Sequence, residues 1–95
     1  NMKNDTLNNL PLYRKCKIKK LNCTGSIRRR LLDLGLVQGA IVTSILKSPS
    51  GGITAFNFCG TLIAIRDEDS SLIEIHINTV TIFIIYHTIL VENIT

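Results

Sequence analysis

Apolar residues recur at two periods along this chain, and the change of period separates one helix from a set of short strands. Within residues 26–39, SIRRRLLDLGLVQG, Ile27, Leu31 and Leu34 fall at the spacing of one helix face, and Leu32 widens it. Ser26 is placed to act as N-cap, its hydroxyl accepting from a free amide of the first turn. Arg28, Arg29 and Arg30 then project to solvent. Gly35 follows the last periodic leucine, where a left-handed residue ends a helix without strain from a Cβ atom. Leu36 and Val37 continue the apolar contact, and Gly39 turns the chain into a strand. The pattern predicts a short amphipathic helix lying across one end of a β-structure.

Elsewhere the period is two. In KCKIKKL, residues 15–21, Cys16 and Ile18 share one side and Lys15, Lys17 and Lys19 the other, which is a half-buried strand. IVTSILK (41–47), ITAFNFC (53–59), LIAIR (62–66) and LIEIHI (72–77) read as four more strands. Phe56 and Phe58 share a face, and Ile73, Ile75 and Ile77 point inward opposite Glu74 and His76. Residues 47–52 form a hairpin loop, Gly60-Thr61 a tight connection, and residues 67–71 a single exposed acidic turn. Five strands with a helix inserted between the first and second predict a mainly β fold with one short α-helix, a small closed or nearly closed antiparallel barrel.

The two ends read differently. Residues 1–11 are polar, Asn-rich and closed by Pro11, and are expected to be a flexible tail; the domain is assigned to residues 12–77. Residues 80–91, VTIFIIYHTILV, are almost unbroken aliphatic sequence. That run is too short for a membrane-spanning helix, which takes ~20 apolar residues. A strand suits it better, paired with the barrel or with a second copy of the chain, because left bare it is an aggregation-prone edge. Residues 78–95 are therefore read as an extra apolar strand segment that oligomerises the chain.

Ninety-five residues, 45% of them hydrophobic, fit one domain with a small core. Charge changes the picture more than composition does. Nine of the eleven Lys and Arg lie within residues 1–30 against the single acid Asp5, while Asp67, Glu68 and Asp69 cluster late. Such polarity suits docking on something acidic: nucleic acid, the inner membrane surface or a complementary protein patch. Aromatics make up only 5%, too few for a base-stacking platform, and no base-reading helix appears. Nucleic-acid binding, or service as a repressor's accessory domain, is the rival reading. No charged segment followed by an apolar run opens the chain, so a cytoplasmic location is expected.

Candidate chemistry is sparse. Ser50-Gly51-Gly52 lacks the lysine and the strand-to-helix setting of a phosphate loop. His76 and His87 stand alone on strand patterns, and no catalytic set is assigned. Cys16, Cys23 and Cys59 are an odd number at unrelated spacings and read as reduced, half-buried core thiols. With His76 they are the donors a Zn²⁺ or Fe²⁺ site would use, but no pair has the short spacing that pre-organises one, so neither metal nor cofactor is assigned. The candidate contact surface is Arg28, Arg29 and Arg30 with Lys15, Lys17 and Lys19 nearby, Leu32 and Leu36 at the helix end, and the hairpin tip Ser48, Pro49, Ser50 and Gly51.

Two blocks in order carry a family resemblance. Leu31-Leu32-Asp33-Leu34-Gly35-Leu36 with Gly39 beyond it is the first. Gly60 leading into Leu62-Ile63-Ala64-Ile65-Arg66 and then Ile73-Glu74-Ile75 is the second. Together, across residues 12–77, they resemble the ferrous iron transport protein A (FeoA) family. That resemblance implies a Src-homology-3-like small barrel without catalytic activity. It further implies a cytoplasmic bacterial protein that binds the cytosolic, G-protein-containing part of the FeoB-type ferrous iron transporter and supports or regulates transport. Leu31, Leu34, Gly35, Gly39, Gly60, Ile65 and Arg66 are its structural motif. This chain departs from the pattern at three places. Arg14-Lys15 replaces a glycine common before the first strand, Ser70 replaces a common alanine, and residues 78–95 have no counterpart.

Overall fold

Backbone pairing follows the period-two segments. The computed structural model describes residues 5–77, in which six strands form one antiparallel sheet. They are β1 (Asp5–Thr6), β2 (Lys15–Leu21), β3 (Ile41–Lys47), β4 (Ile53–Phe58), β5 (Thr61–Arg66) and β6 (Ile73–Ile77), in the order β1-β6-β2-β3-β4-β5. Helix α1 (Gly25–Asp33) is inserted between β2 and β3, and the single turn α2 (Asp67–Ser70) between β5 and β6. The fold is mainly β with one short helix, as the alternation indicates.

Closure is where the expected barrel needs correcting. β1 and β5 are both sheet edges, so the sheet is open. Register slips between Ile18 and Lys20 and between Ser44 and Leu46 mark bulges, which bend strands and raise their twist. Curled in this way, the sheet wraps one core, and α2 packs against both β5 and the 3₁₀ turn Leu7–Asn9, bridging the open side. The first bulge also explains why Lys19 is half-buried rather than fully outward.

Inward residues match the reading closely. Cys16, Ile18, Val42, Phe56, Ile73 and Ile75 are each no more than 1% exposed, while Glu74 and His76 face outward. The stretch read as a flexible tail is different in its described part. Asp5 and Thr6 pair with Ile75 and Glu74, and Leu7 and Leu10 are buried in the core at 0% and 1% exposure. The domain therefore begins before Leu12. Two leucines separated by Asn8 and Asn9 show neither period, so only their burial reveals them.

Helix α1 is fastened at its C-terminus rather than by a side-chain cap. The N-cap is Thr24, not Ser26, and it makes no side-chain cap bond. At the other end Gly35 takes φ +93°, its amide donates to the Leu32 carbonyl at 3.0 Å, and the Leu36 amide donates to the Leu31 carbonyl at 2.9 Å. That double closure satisfies two helix-end carbonyls and brings Leu36 onto Leu31, both buried at 1% and 0%. Gly39 then donates to the Ile18 carbonyl at 2.7 Å, returning the chain beside β2. Leu34, expected on the apolar face, is instead the C-cap and 43% exposed.

Both family departures within the described residues have a local account. Tyr13, immediately before Arg14-Lys15, holds φ +65°, the conformation a glycine takes freely. Ser70 is fully buried, and its hydroxyl donates to the Asp67 carbonyl at 3.3 Å within α2.

The β4–β5 connection is a two-residue turn, with Phe58 paired to Thr61 and both Cys59 (φ +51°) and Gly60 (φ +79°) left-handed. Such a turn favours Asn-Gly, so a cysteine at its first position is strained. Two opposite stability changes are expected in urea unfolding. Gly35→Ala forces a Cβ into the left-handed region, 3.3 Å from the Phe58 ring, and costs about 1–2 kcal/mol. Cys59→Asn relieves strain and adds roughly 0.5–1 kcal/mol. A neutral Gly35→Ala contradicts the closure just described.

Candidate functional site

The side of α1 turned away from Leu31 is the most concentrated run of charge in the described structure. Ile27 and Leu31 pack inward, and the three arginines between them are exposed. Arg28 is partly tethered, its guanidinium donating to the Leu21 carbonyl at 2.7 Å, which ties the helix to the end of β2. Arg29 and Arg30 reach solvent, and Arg30 in the last turn also suits the helix dipole.

Gly25, Ser26, Arg28, Arg29, Arg30, Leu32, Asp33 and Leu34 line one concave surface. Two apolar side chains, Leu32 and Leu34, are 38% and 43% exposed beside this charge. Asp33 and Leu34 escaped the sequence reading as contact residues because helical periodicity alone placed Leu34 inward; the left-handed turn after it rotates that position outward. Lys15, Lys17 and Lys20 extend the basic character along the outer side of β2.

Not every candidate joins this surface. Leu36 is 1% exposed and belongs to the core, so it offers nothing to a partner. The hairpin tip Ser48-Pro49-Ser50-Gly51 is exposed or half-exposed, but it lies at the far end of β3, a strand of seven residues. There the Asp67 amide donates to the Gly52 carbonyl at 2.8 Å, which sets the tip beside the acidic turn α2. Helix and hairpin therefore do not form one contact surface. Of the motif residues, Leu31 and Ile65 are buried and Gly60 sits in the β4–β5 turn. Arg66 is exposed and meets Glu68 at 3.7 Å.

Thiols are distributed rather than clustered. Cys16 and Cys23 are buried, and Cys59 is exposed in its turn, correcting its assignment to a strand. Among the described residues no three His, Cys, Asp or Glu side chains approach closely enough to hold a metal ion. Burial pushes the Cys16 thiol from 9.0 up to about 12, keeping it protonated and unreactive near neutrality.

A curled antiparallel sheet with a cationic helix face and no assembled catalytic set defines a small β-domain suited to binding other macromolecules. The chain belongs to the FeoA family: the FeoA domain matches residues 6–77. It is similar to the FeoA protein of Chlorobium tepidum, with 30% identity, 78% of this chain and 70% of that one covered, and a TM-score of 0.74. Iron(II) transport protein A of Clostridium thermocellum is 23% identical and has a TM-score of 0.73, with 79% of this chain but 46% of that one covered. A zinc complex of Stenotrophomonas maltophilia FeoA is 27% identical over 75% of this chain and 88% of that one, with a TM-score of 0.66. That relative is described as a prokaryotic SH3 domain protein, which agrees with the fold here. The regulators ScaR and SloR, at 13% and 14% identity, share the fold alone. No curated protein sequence matches significantly.

Thiol labelling tests this placement. Cys59 is expected to react rapidly with a disulfide reagent at neutral pH, whereas Cys16 and Cys23 react only on unfolding. A pH dependence follows from Cys16. Its folded pKa lies above the unfolded value, so above pH 9 the unfolded chain releases a proton that the folded one keeps, and stability falls with rising pH up to about 12. Replacing Cys16 by alanine is expected to make that alkaline decline shallower; an unchanged slope contradicts the assignment.

Proposed function

We propose that this chain is an accessory protein of ferrous iron uptake that binds the cytosolic part of an FeoB-type transporter through the outer face of α1. Family membership supports the transport role, and the S. maltophilia relative is described as a proposed ferrous iron transport activating factor. The observation that carries the choice of surface is the pairing of Arg28, Arg29 and Arg30 with the exposed Leu32 and Leu34 on a helix whose other side is locked into the core. Charge steers encounter and the leucines supply desolvated contact area. Because the inner surface of a bacterial membrane is anionic, the same cations also favour residence beside a membrane-embedded partner in the cytoplasm. Among the described residues no helix is long and apolar enough to cross a membrane itself. The role asked of the protein is to hold or bias a conformation of its partner, which needs complementarity and no bond-making.

Reversing Arg28, Arg29 and Arg30 to glutamate is expected to weaken binding to the isolated cytosolic transporter part by about tenfold or more, on the order of 1.4 kcal/mol. The salt dependence of the residual binding becomes shallower. Calorimetric titration at two ionic strengths measures both. Unchanged affinity and an unchanged salt slope remove α1 as the contact. Retention of duplex DNA at physiological salt favours the nucleic-acid reading instead.

A further inference from the structure

The outer side of β3–β4–β5 is apolar, in contrast to the lysine-bearing outer side of β2. Strand register sets Leu46, Ala55 and Ala64 in one row across the three strands, with Ile53 and Leu62 flanking it. Leu46 and Leu62 are 65% and 66% exposed and Ile53 is 45% exposed. This surface ends at β5, which has no further strand beside it among the described residues. In a two-residue hairpin the closing pair, here Phe58 and Thr61, exchanges both backbone bonds, and the pattern then alternates. The amides of Ile63 and Ile65 therefore face β4, and those of Leu62 and Ala64 face the open edge. An apolar edge strand of this kind is a template for another strand unless something covers it.

The chain carries its own candidate cover. Residues 80–91, VTIFIIYHTILV, hold no Asp, Glu, Lys or Arg and are rich in β-branched residues. They follow directly from β6. Ile77 pairs with Cys16, Cys16 with Val42, Thr43 with Asn57, and Asn57 with Leu62. The end of β6 is thus level with the start of β5, four strand spacings or about 19 Å away. Residues 78–83, at ~3.3 Å each, span that distance. Residues 84–91, IIYHTILV, then remain to match the six residues of β5. The opposite edge, β1, offers only two residues to pair with. Tethering also favours this occupant over a second copy, because a short linker holds it at an effective concentration in the millimolar range.

We propose that residues 84–91 add to the free edge of β5 within the same chain and cover Leu62 and its apolar neighbours. The test is residue-resolved amide exchange on the full chain across a concentration series. Leu62 and Ala64 amides exchange slowly at every concentration in the unmodified chain. In the double variant Ile85→Asp, Ile89→Asp they exchange at least about tenfold faster, while Ile63 and Ile65 stay protected and report an intact β4–β5 pair. Fast exchange of Leu62 and Ala64 in the unmodified chain overturns the proposal. Protection that disappears on dilution together with a dimer assigns the edge to a second copy and overturns it equally.

Discussion

Closure of α1 through Gly35 is the constraint on which the rest of this structure depends. A nine-residue helix is too short to persist on propensity alone. It is held because the left-handed turn folds Leu36 back onto Leu31, and both enter the core of the sheet. With that side fixed, the opposite side has one orientation left. Three consecutive arginines and two leucines are then presented on a rigid support, although each is separately an ordinary surface residue. Arg28 adds a second tie through the Leu21 carbonyl, so the helix is pinned to β2 as well.

The sheet serves the same end by remaining open. Two bulges curl it around a core built almost wholly from Ile, Leu, Val, Cys and one phenylalanine, without the aromatic mass that larger domains use. Helical turns rather than backbone pairing close the side between β1 and β5. The outcome is polarity along the strands: cations gather where α1 sits, and Asp67, Glu68 and Asp69 gather with the 48–52 hairpin at the other end. A partner surface of one sign meets such a domain in one orientation, which is useful for a protein whose action lies in positioning.

Much of this was legible in the residues, and the exceptions have identifiable causes. Strand alternation is clear wherever one side is buried, as in Cys16/Ile18 and Ile73/Ile75, because burial of a single face imposes the period. Gly35 and the paired Leu31 and Leu36 announce the helix end. β1 is invisible because two residues cannot show a period and because Leu7 and Leu10 lie among asparagines. Bulges are hidden too, since one inserted residue leaves composition unchanged while shifting every side chain beyond it. Leu36 was read as a contact because sequence spacing cannot tell a residue folded back over the helix end from one continuing outward. Hairpin and helix looked equally exposed; only the length of β3 between them shows that they serve different ends of the molecule.

The most direct measurement is a backbone NMR titration of the full chain with the cytosolic part of the transporter. Shift changes and line broadening concentrated at residues 25–34 and the outer lysines of β2, with residues 48–52 and 67–70 unmoved, is the expected result. Changes centred on the hairpin and α2, or none at saturating transporter, contradict the account.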